Sequence, residues 1–408
     1  MSGRRRVLMT TTAYPPSIGG VQGYLADLCS RLEHFDPDVV SLWLEHRTDW
    51  LLGTTLRLGS PPAESSDSVR RLGWSAGARA RMAPWVLAYY GLVPIAARRI
   101  ASLMVPDLEK LVRPDHVIVH NHRIGREFLA IASLTVARRR GLPFVLTPYH
   151  HPRWRGYRYS GWTAVYRAAD AVLTLTEAEA RELRRLGVDP TRLHVIGGAA
   201  DEPMAADAGR FLARINGGSR AVVLFLGQLY DYKGVSTLLA AAQELRGHGV
   251  EFDLVYIGPE TEFSRGVFAQ RRPDWVHVLG AVDNQTKWDA IEAATVVCVP
   301  SAQESFGRVY LEAWAKGKPV IGGRIAPVME VVTDGQNGLL VEPGSVSHLE
   351  SALELLLTDP DLARRLGESG REEQAKRFTW RQVVERVEAV YEGLLASVAA
   401  GGAGRSEA

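Results

Sequence analysis

Two glutamates eight positions apart, Glu304 and Glu312, are the residues of this sequence whose spacing most clearly suggests ligand chemistry. The β-branched run at 295–299 predicts a buried strand that ends at Pro300. Apolar residues at helical spacing over 307–316 predict a helix directly after it. Glu304 then lies in the loop between strand and helix, and Glu312 lies about two turns into the helix.

The predicted start of that helix is a candidate anion site. The first N–H groups of a helix are unpaired and carry partial positive charge, so the backbone of residues 305–308 can hold a phosphate. The two glutamates can accept hydrogen bonds from hydroxyl groups on either side of that phosphate. Taken alone, the spacing is equally typical of an ordinary helix surface, so the flanking sequence has to decide between the two interpretations.

Length and composition set the broad class of the protein. A chain of 408 residues is too long for one core, so we expect two domains. Its 48 Lys and Arg nearly balance 46 Asp and Glu, so its charge gives no reason to expect a nucleic-acid partner. Cys29 and Cys298 lie in apolar settings and are predicted to pack as thiols in a reducing compartment. The basic start lacks the apolar run of a signal peptide, and no segment is long enough for a membrane span, which predicts a cytoplasmic protein.

The order of strand, loop and helix occurs twice. Residues 7–9 predict a strand followed by a loop to Gly19 and Gly20, where the backbone can approach a phosphate or sugar closely; an ordinary turn is the alternative. Residues 221–227 predict a second such strand, followed by a loop with Gln228 and Lys233. This repeat predicts two similar α/β halves.

Composition also predicts where the halves meet. Residues 201–218 are small, polar and irregular and are predicted to be a linker between domains at 1–200 and 219–379. An amphipathic pattern predicts a final helix at 380–397, and the small residues of 398–408 predict a flexible tail.

The sequence around the two glutamates resembles a known family. ESFG at 304–307, EAWAKGKPVI at 312–321 and DGQNGLLVEPG at 334–344 are together similar to the E-x7-E signature of glycosyltransferase family 4, the group 1 glycosyl transferases. The resemblance covers nearly the whole chain and is most specific over 221–345. It implies an α/β GT-B fold, with two Rossmann-like domains, an active site in the cleft between them and a last helix that crosses back to the first domain.

The resemblance also implies an activity and residue roles. It implies transfer of a sugar, with retention, from a nucleotide diphosphate sugar to a hydroxyl acceptor that is a saccharide, a lipid-linked compound or a small natural product. The implied catalytic residues are His122, Glu304 and Lys233, with Glu304 on the sugar, His122 on its hydroxyls and Lys233 on the diphosphate. The implied donor-binding residues are Gly19, Gly20, Gln228, Lys233, Val278, Glu304, Ser305, Phe306, Gly307, Arg308 and Glu312, with Glu312 on the ribose and Val278 beside the nucleobase.

The chain departs from the family at two positions. Gln228 stands where the family has arginine, so a charge that would face the diphosphate is missing; Arg308 or Arg324 is a candidate to replace it. Gly197 and Gly198 replace the usual proline-asparagine-glycine at the end of the first domain.

Histidines and paired aspartates raise the question of a metal. Alternation places His120 and His122 on one face of a strand, and His150 and His151 follow the next strand, so a four-histidine metal site is an alternative to a sugar-binding His122 with a structural His120. The strings Asp36-Pro37-Asp38 and Asp359-Pro360-Asp361 predict turns or helix caps around proline rather than metal ligands. We therefore expect no metal and no cofactor besides the nucleotide sugar as co-substrate.

Two segments of the first half each have two interpretations. Residues 46–83 are polar and predict a long loop or an insertion that faces the acceptor. The apolar run 85–97, between arginines at 79, 81, 98 and 99, predicts either a core helix interrupted at Gly91 and Pro94 or a peripheral contact of 79–99 with the inner face of a membrane. For the whole protein, the alternatives are an epimerase or phosphorylase on the same fold, or an inactive protein that binds nucleotide sugars.

Overall fold

The structure, a computed structural model, describes residues 5–17, 19–42, 69–74, 76–123, 125–151, 156–218, 220–269 and 272–403. It divides into two compact units. Unit 1 comprises Met1–Ile196 and Arg381–Ala408, and unit 2 comprises Gly197–Trp380. The divisions lie within a few residues of the boundaries predicted at 200 and 380.

Unit 1 is built on a parallel sheet whose described strands run in the order β3-β2-β1-β4-β5-β6-β7. The strands are β1 (Arg5–Thr11), β2 (Phe35–Leu42), β3 (Val69–Leu72), β4 (His116–His122), β5 (Phe144–Thr147), β6 (Ala171–Thr174) and β7 (Leu193–Val195). The described helices of its first segment are α1 (Gly20–Arg31), α2 (Ala76–Ala88), α3 (Val93–Glu109), α4 (Phe128–Arg140), α5 (Ser160–Ala168) and α6 (Glu177–Arg185).

Unit 2 repeats this plan with a parallel sheet in the order β10-β9-β8-β11-β12-β13. Its strands are β8 (Ala221–Leu226), β9 (Phe252–Ile257), β10 (Val276–Val278), β11 (Val296–Val299), β12 (Val320–Gly323) and β13 (Leu339–Val341). Its described helices are α7 (Ala208–Ile215), α8 (Val235–Gly247), α9 (Glu262–Val267), α10 (Asn284–Ala293), α11 (Arg308–Ala315), α12 (Ala326–Met329), α13 (Val346–Thr358) and α14 (Pro360–Arg377), and α15 (Trp380–Ala403) follows them. The prediction of two Rossmann-like α/β units is therefore confirmed.

The central strands are apolar along their length because helices cover both faces of a parallel sheet. Val7, Leu8 and Met9 of β1 are fully buried, as are Val223 and Leu224 of β8. No helix within the described ranges is both long and apolar enough to cross a membrane.

The long loop predicted for 46–83 is wrong in its second half. Residues 69–72 form β3, which pairs with β2, and α2 begins at Ala76. The arginine-rich strand β3 is fastened to β2 by Arg70, which donates to buried Asp38 at 2.5 Å. Residues 46–68 and 75 lie outside the described residues.

The two Asp-Pro-Asp strings have different structures. Asp36-Pro37-Asp38 lies inside β2, so the predicted turn or cap is wrong there. Within the described residues, Pro37 pairs with Val7 of β1, and the described part of β3 pairs with 39–42. The second string is a helix cap as predicted: Asp359 accepts from the N–H of Leu362 at 2.9 Å, and Pro360 is the first residue of α14.

The chain returns to unit 1 through its last helix. The Glu388 carboxylate accepts hydrogen bonds from the backbone N–H groups of Glu33 and His34, both at 2.8 Å. Tyr391 is fully buried, and its hydroxyl lies 2.6 Å from Nδ1 of His120. Because α15 continues to Ala403, the predicted tail at 398–408 is helical up to that residue; 404–408 lie outside the described residues.

The predicted linker at 201–218 also contains regular structure, namely α7. Asp207 caps this helix, and Phe211 and Ile215 are buried. Arg210 donates to Asp289 of α10 at 2.5 and 2.7 Å, which fastens α7 to unit 2. The irregular composition was therefore misleading, because an amphipathic helix of two turns needs only a few apolar residues.

Gly258 provides a test of how the loops of unit 2 pack. It has a φ of +144°, and a Cβ there would overlap the carbonyl oxygen of Gly227. We expect Gly258→Ala to lower the free energy of unfolding by about 2 kcal/mol or more, because the backbone cannot relax cheaply. Denaturant unfolding measures this loss. Gly266→Ala in α9 is the control, since its Cβ would meet no atom within 4 Å; a loss of equal size there would contradict the packing argument.

Candidate active site

In both sheets the strand order reverses between two central strands. The reversal falls between β1 and β4 in unit 1 and between β8 and β11 in unit 2. Loops that leave the carboxyl ends of such a pair run in opposite directions and open a crevice, the usual ligand site of this architecture. The predicted residues follow these four strands almost without exception, and Val278, at the end of β10, is the one that does not.

Lys233 is held in unit 2 by a tight contact between two loops. It ends a single 3-10 turn, and Gly234 after it has a φ of +82°. A Cβ on Gly234 would lie 2.7 Å from the ring of Pro300, so only glycine lets the loop after β8 approach the loop after β11. The N–H of Ala302 donates to the carbonyl of Tyr232 at 2.8 Å and links the two loops.

The two predicted catalytic residues of unit 2 meet across these loops. The Lys233 ammonium forms an ion pair with Oε1 of Glu304, and the Ser301 hydroxyl donates to the same oxygen at 3.1 Å. Side-chain exposure is only 17% for Lys233 and 11% for Glu304, so the pair is largely withdrawn from water. A charge pair in this setting is stable only while both partners are present.

The aromatic ring of the loop after Glu304 packs inside unit 2. Phe306 is buried, and its ring packs edge-to-face on Phe378 with 5.7 Å between ring centres. Gly307 has a φ of +93° and forms the N-terminal end of α11. The hydroxyl of Tyr310 donates to the carbonyl of Val299 at 2.8 Å and fixes the helix to β11. Residues 305–308 thus have the predicted position at a helix N-terminus.

Glu312 belongs to a cluster of four charges on unit 2. It lies 3.0 Å from Nζ of Lys287 in α10. That ammonium is also 3.5 Å from Asp201, which accepts from Arg308 at 2.8 Å. Two carboxylates and two cations therefore neutralise one another. Sequence reasoning missed Lys287 and Asp201, because nothing in a helix surface or in the segment GGAAD indicates which distant charges will meet.

The two arginines considered as substitutes for the charge missing at Gln228 are both paired with carboxylates. Arg308 contacts Asp201, as described above. Arg324, directly after β12, lies 2.6 Å from Asp334 and 3.1 Å from Glu342. Arg324 also donates to the carbonyl of Leu340 at 2.9 Å, so it fastens the end of β12 to β13.

Val278 is the last residue of β10 and lies half-buried at the edge of the unit 2 sheet. The backbone after it is tied back to the sheet. Leu279 donates its N–H to the carbonyl of Tyr256 at 3.0 Å, and Gly280 accepts from Gly258 at 2.8 Å. The main chain beside Val278 therefore has a defined position, as contact with a nucleobase would require.

In unit 1 the glycine loop after β1 is held by hydrogen bonds from a neighbouring arginine. Gly20 begins α1, and a Cβ on Gly19 would overlap the side chain of Gln22. The guanidinium of Arg71 donates to the carbonyl of Pro15 and to the hydroxyl of Ser41, the latter at 2.9 Å. Residue 18 of this loop lies outside the described residues.

His120 and His122 point to one side of β4, as their alternation predicted. Their ring centres are 4.1 Å apart. Both nitrogens of His120 have partners, the hydroxyls of Tyr391 at 2.6 Å and Thr147 at 2.8 Å, which agrees with a structural role. Nδ1 of His122 lies 2.9 Å from the Tyr149 hydroxyl, whereas its buried Nε2 has no hydrogen-bond partner among the described residues. Burial lowers the pKa of His122 to about 3, so the ring is neutral at physiological pH.

The four-histidine metal site is not formed. In the part of the chain that the structure describes, no three side chains of His, Cys, Asp or Glu are grouped so that they could bind a metal ion. His150 instead lies with Nδ1 3.3 Å from the hydroxyl of Tyr166. Its backbone N–H donates to the Glu179 carboxylate at 2.5 Å.

Two parallel-sheet units with their polar residues at the sheet reversals have the architecture of the GT-B fold. Solved structures share this fold over nearly the full chain. Sucrose-phosphate synthase from Thermosynechococcus elongatus superposes with a TM-score of 0.74 at 20% identity, covering 97% of this chain and 100% of that one. HepE from Anabaena in complex with UDP-glucose gives 0.73 at 15% identity, covering 95% and 100%.

Sequence comparison gives the family. Residues 214–373 match the model for glycosyl transferases group 1, and residues 19–199 match the model for a glycosyl transferase 4-like domain. The MMP α-(1→4)-mannosyltransferase of Mycolicibacterium hassiacum is 30% identical over 314 residues, which cover 71% of this chain and 73% of that protein. The chain therefore belongs to the group 1 glycosyl transferases, as its glutamate signature had indicated.

Because buried His122 is neutral in the folded chain, we predict that the stability of the protein depends on pH. Above pH 6.5 neither the folded nor the unfolded chain protonates His122; below it, the unfolded chain takes up a proton that the folded chain excludes. The free energy of unfolding should therefore fall as the pH drops from 6.5 towards 3, by up to about 1.4 kcal/mol per pH unit for each such histidine. We expect His122→Gln to reduce this slope, measured by denaturant unfolding between pH 5 and pH 7.

Tyr149→Phe is the control for that experiment. It removes the hydroxyl beside His122 but keeps the histidine, so the slope should persist. A slope that is unchanged in His122→Gln would show that this ring is not the group that titrates on unfolding.

Proposed function

We propose that this protein transfers a sugar from a nucleotide diphosphate sugar to a hydroxyl acceptor, with retention at the anomeric carbon. The observation that carries the proposal is the Lys233–Glu304 pair, which lies where the strand order of unit 2 reverses. Support for the donor class comes from the similar fold of HepE, whose structure contains UDP-glucose.

Donor binding is proposed to exchange partners in the Lys233–Glu304 pair. A diphosphate is a better partner for the ammonium than a single carboxylate, because it brings more negative charge. Glu304 is then released to accept hydrogen bonds from the hydroxyls of the donor sugar, while Ser301 keeps its orientation. The pair holds both groups in a neutral arrangement before the donor arrives, so neither charge is left buried without a partner.

The other donor contacts follow from the placement of each residue. The backbone N–H groups at 305–308 lie at a helix N-terminus, where they can add hydrogen bonds to the diphosphate. Glu312 is proposed to accept from the ribose hydroxyls, with Lys287 holding its carboxylate in place. Gln228 can donate only neutral hydrogen bonds where the family has arginine, so Lys233 carries more of the charge stabilisation.

Retention is proposed to proceed by attack on the face from which the diphosphate leaves. The bond from the anomeric carbon to the phosphate oxygen breaks, the bond to the acceptor oxygen forms on the same face, and the acceptor proton passes to that phosphate oxygen. The products are the glycoside and the nucleoside diphosphate. Such a reaction depends on stabilising the leaving charge, which is the role of Lys233 and the helix N-terminus.

Unit 1 is proposed to supply His122 and the glycine loop. Nε2 of His122, which has no partner in the part of the chain that the structure describes, can bond a sugar hydroxyl. A neutral ring avoids repelling the positive charge that develops on the sugar. Gly19 and Gly20 allow a ligand to approach the start of α1. A cytoplasmic location with peripheral contact to the inner face of a membrane through 79–99 remains part of this proposal, and a lipid-linked acceptor would suit it.

The two glutamates should differ in a measurable way. We expect Glu304→Ala to abolish transfer while binding of the nucleoside diphosphate is retained or tightened, because Lys233 loses its competing partner. Glu312→Ala should weaken nucleotide binding itself. Calorimetric titration with nucleoside diphosphate and a transfer assay separate these effects. Glu350→Ala is the control, since this carboxylate is also part-buried and paired, with His248 at 2.9 Å; equal, small effects of all three would indicate structural roles only.

Lys233 should contribute to catalysis in addition to stabilising the fold through its ion pair. Lys233→Ala is expected to cost about 2 kcal/mol or more of transition-state stabilisation, or roughly a thirtyfold loss in kcat/KM. Lys316→Ala is the matched control, because Lys316 has similar exposure and pairs with Glu292 at 3.0 Å. If Lys233→Ala turned over like the parent, the diphosphate would not lie on this loop.

Activity should not depend on a divalent metal. The proposed charge stabilisation uses an ammonium and backbone N–H groups, so turnover should survive treatment with EDTA followed by gel filtration. The same preparation assayed with added manganese is the control. Turnover that is lost with EDTA and restored by manganese would reject this part of the proposal.

The alternative functions are distinguished by what the protein needs to turn over. An epimerase would alter the nucleotide sugar without any acceptor, and a phosphorylase would need free phosphate. An inactive binding protein would be stabilised by nucleotide sugars but would not transfer a sugar to any acceptor. A thermal-shift screen of nucleotide diphosphate sugars followed by these assays identifies the donor first, because a ligand that binds only the folded state raises its stability.

A further inference from the structure

Unit 1 exposes a group of large apolar side chains in and beside the turn between α2 and α3. The group also includes a tyrosine from the 3-10 turn at Tyr157–Tyr159. We call these five residues the apolar tip, and their exposed fractions are 80% for Leu87, 49% for Tyr90, 46% for Leu92, 53% for Ile95 and 53% for Tyr157. Large apolar side chains that are exposed as a group mark an interaction surface.

Several contacts join the apolar tip into one surface. The hydroxyl of Tyr157 donates to the carbonyl of Gly91 at 2.9 Å. Arg126 donates to the hydroxyl of Tyr90 at 2.8 Å, and the guanidinium of Arg158 lies 5.6 Å from the centre of the same ring. Residues that are distant in sequence are thus held side by side.

Packing of the core does not account for this surface. The other face of the same two helices is already buried in unit 1, through Met82, Val86, Tyr89, Val93 and Ile100. The core-helix interpretation of 85–97 is therefore correct for one face only. The exposed face presents a second set of apolar residues from the same segment.

The rim of the apolar tip is basic. The sequence has no Asp or Glu between Asp67 and Asp107, and this stretch contains six arginines. Three of them, Arg81, Arg98 and Arg99, are exposed on the helices of the tip. Arg126 and Arg158 come from neighbouring segments of the chain. Glu127, which follows Arg126, is fully buried and accepts a hydrogen bond from Tyr89.

We propose that the apolar tip inserts into the interface of a bilayer that contains anionic lipids, with its arginines on the headgroups. Aromatic and aliphatic side chains at a helical corner can enter the boundary between headgroups and acyl chains, while arginines beside them remain in the polar layer. A second copy of the chain is a poorer partner for this surface, because two basic rims would repel each other. This inference deepens the membrane contact proposed above for 79–99 and rests on that part of the proposed function, but it does not depend on the donor site.

The size of each contribution can be estimated. Full burial of a leucine or isoleucine is worth roughly tenfold or more in partition, and one basic residue near an anionic surface is worth about fivefold. We therefore expect the double variant Leu87→Ser and Ile95→Ser to bind vesicles of phosphatidylglycerol and phosphatidylcholine about a hundredfold more weakly than the parent. Arg98→Glu changes the charge by two, so about twenty-five-fold is expected at low salt.

Co-sedimentation of the full chain with vesicles is the test. The controls are Leu355→Ser with Val398→Ser, which remove exposed apolar groups elsewhere, and Arg184→Glu in α6. The proposal is supported if the controls bind like the parent, the tip variants do not, and binding weakens with added salt. Thermal shift with a nucleotide sugar should be the same for all variants, which separates failure at the membrane from failure at the donor site.

Three results would overturn the proposal. The first is a parent protein that does not sediment with anionic vesicles, and the second is equal binding to vesicles of phosphatidylcholine alone. The third is a concentration-dependent dimer, seen by light scattering, that is lost in the Leu87→Ser and Ile95→Ser variant; that result would assign the surface to a second copy of the chain.

Discussion

Parallel pairing of the strands is the constraint on which the rest of this structure depends. Each crossover helix returns the chain to the same edge, so every strand ends at one side of its sheet. The reversals between β1 and β4 and between β8 and β11 then leave a gap between neighbouring loops. Lys233 and Glu304 are 71 residues apart in sequence, yet they meet because β8 and β11 are adjacent. The chemistry of unit 2 is a direct result of this topology.

Charges near that gap are arranged in neutral groups. Lys233 pairs with Glu304, Lys287 with Glu312, and Arg308 with Asp201. Partly buried ions are costly unless paired, so each of these charges is held beside an opposite charge. In unit 1 the corresponding group is a neutral imidazole, whose burial removes its charge instead of pairing it. His122 and the charged groups of unit 2 are thus kept beneath the surface by different means.

Most of the fold, and the positions in it of the proposed site residues of unit 2, could be predicted from sequence, because they rest on local patterns. Buried parallel strands show as apolar runs, and the loop residues follow directly from where those runs end. Asp201 and Lys287 could not be predicted, since their importance arises only when α10 and α11 are brought together by the sheet. Asp36-Pro37-Asp38 was misinterpreted because proline usually indicates a turn, and nothing local to the string shows that it lies inside β2. The helix α7 was hidden in a segment whose composition is typical of a linker.

The return of α15 to unit 1 has a consequence for how the protein is made. Residues from both ends of the chain form unit 1, with Glu388 and Tyr391 completing contacts that begin at Glu33 and His120. Unit 2, by contrast, is one continuous segment. During synthesis, which proceeds from the N-terminus, unit 2 has its whole sequence before unit 1 receives its last helix. Nδ1 of His120 can therefore contact its native partner only after residue 391 has been translated. Unit 1 begins first on the ribosome, but its sequence is completed after that of unit 2.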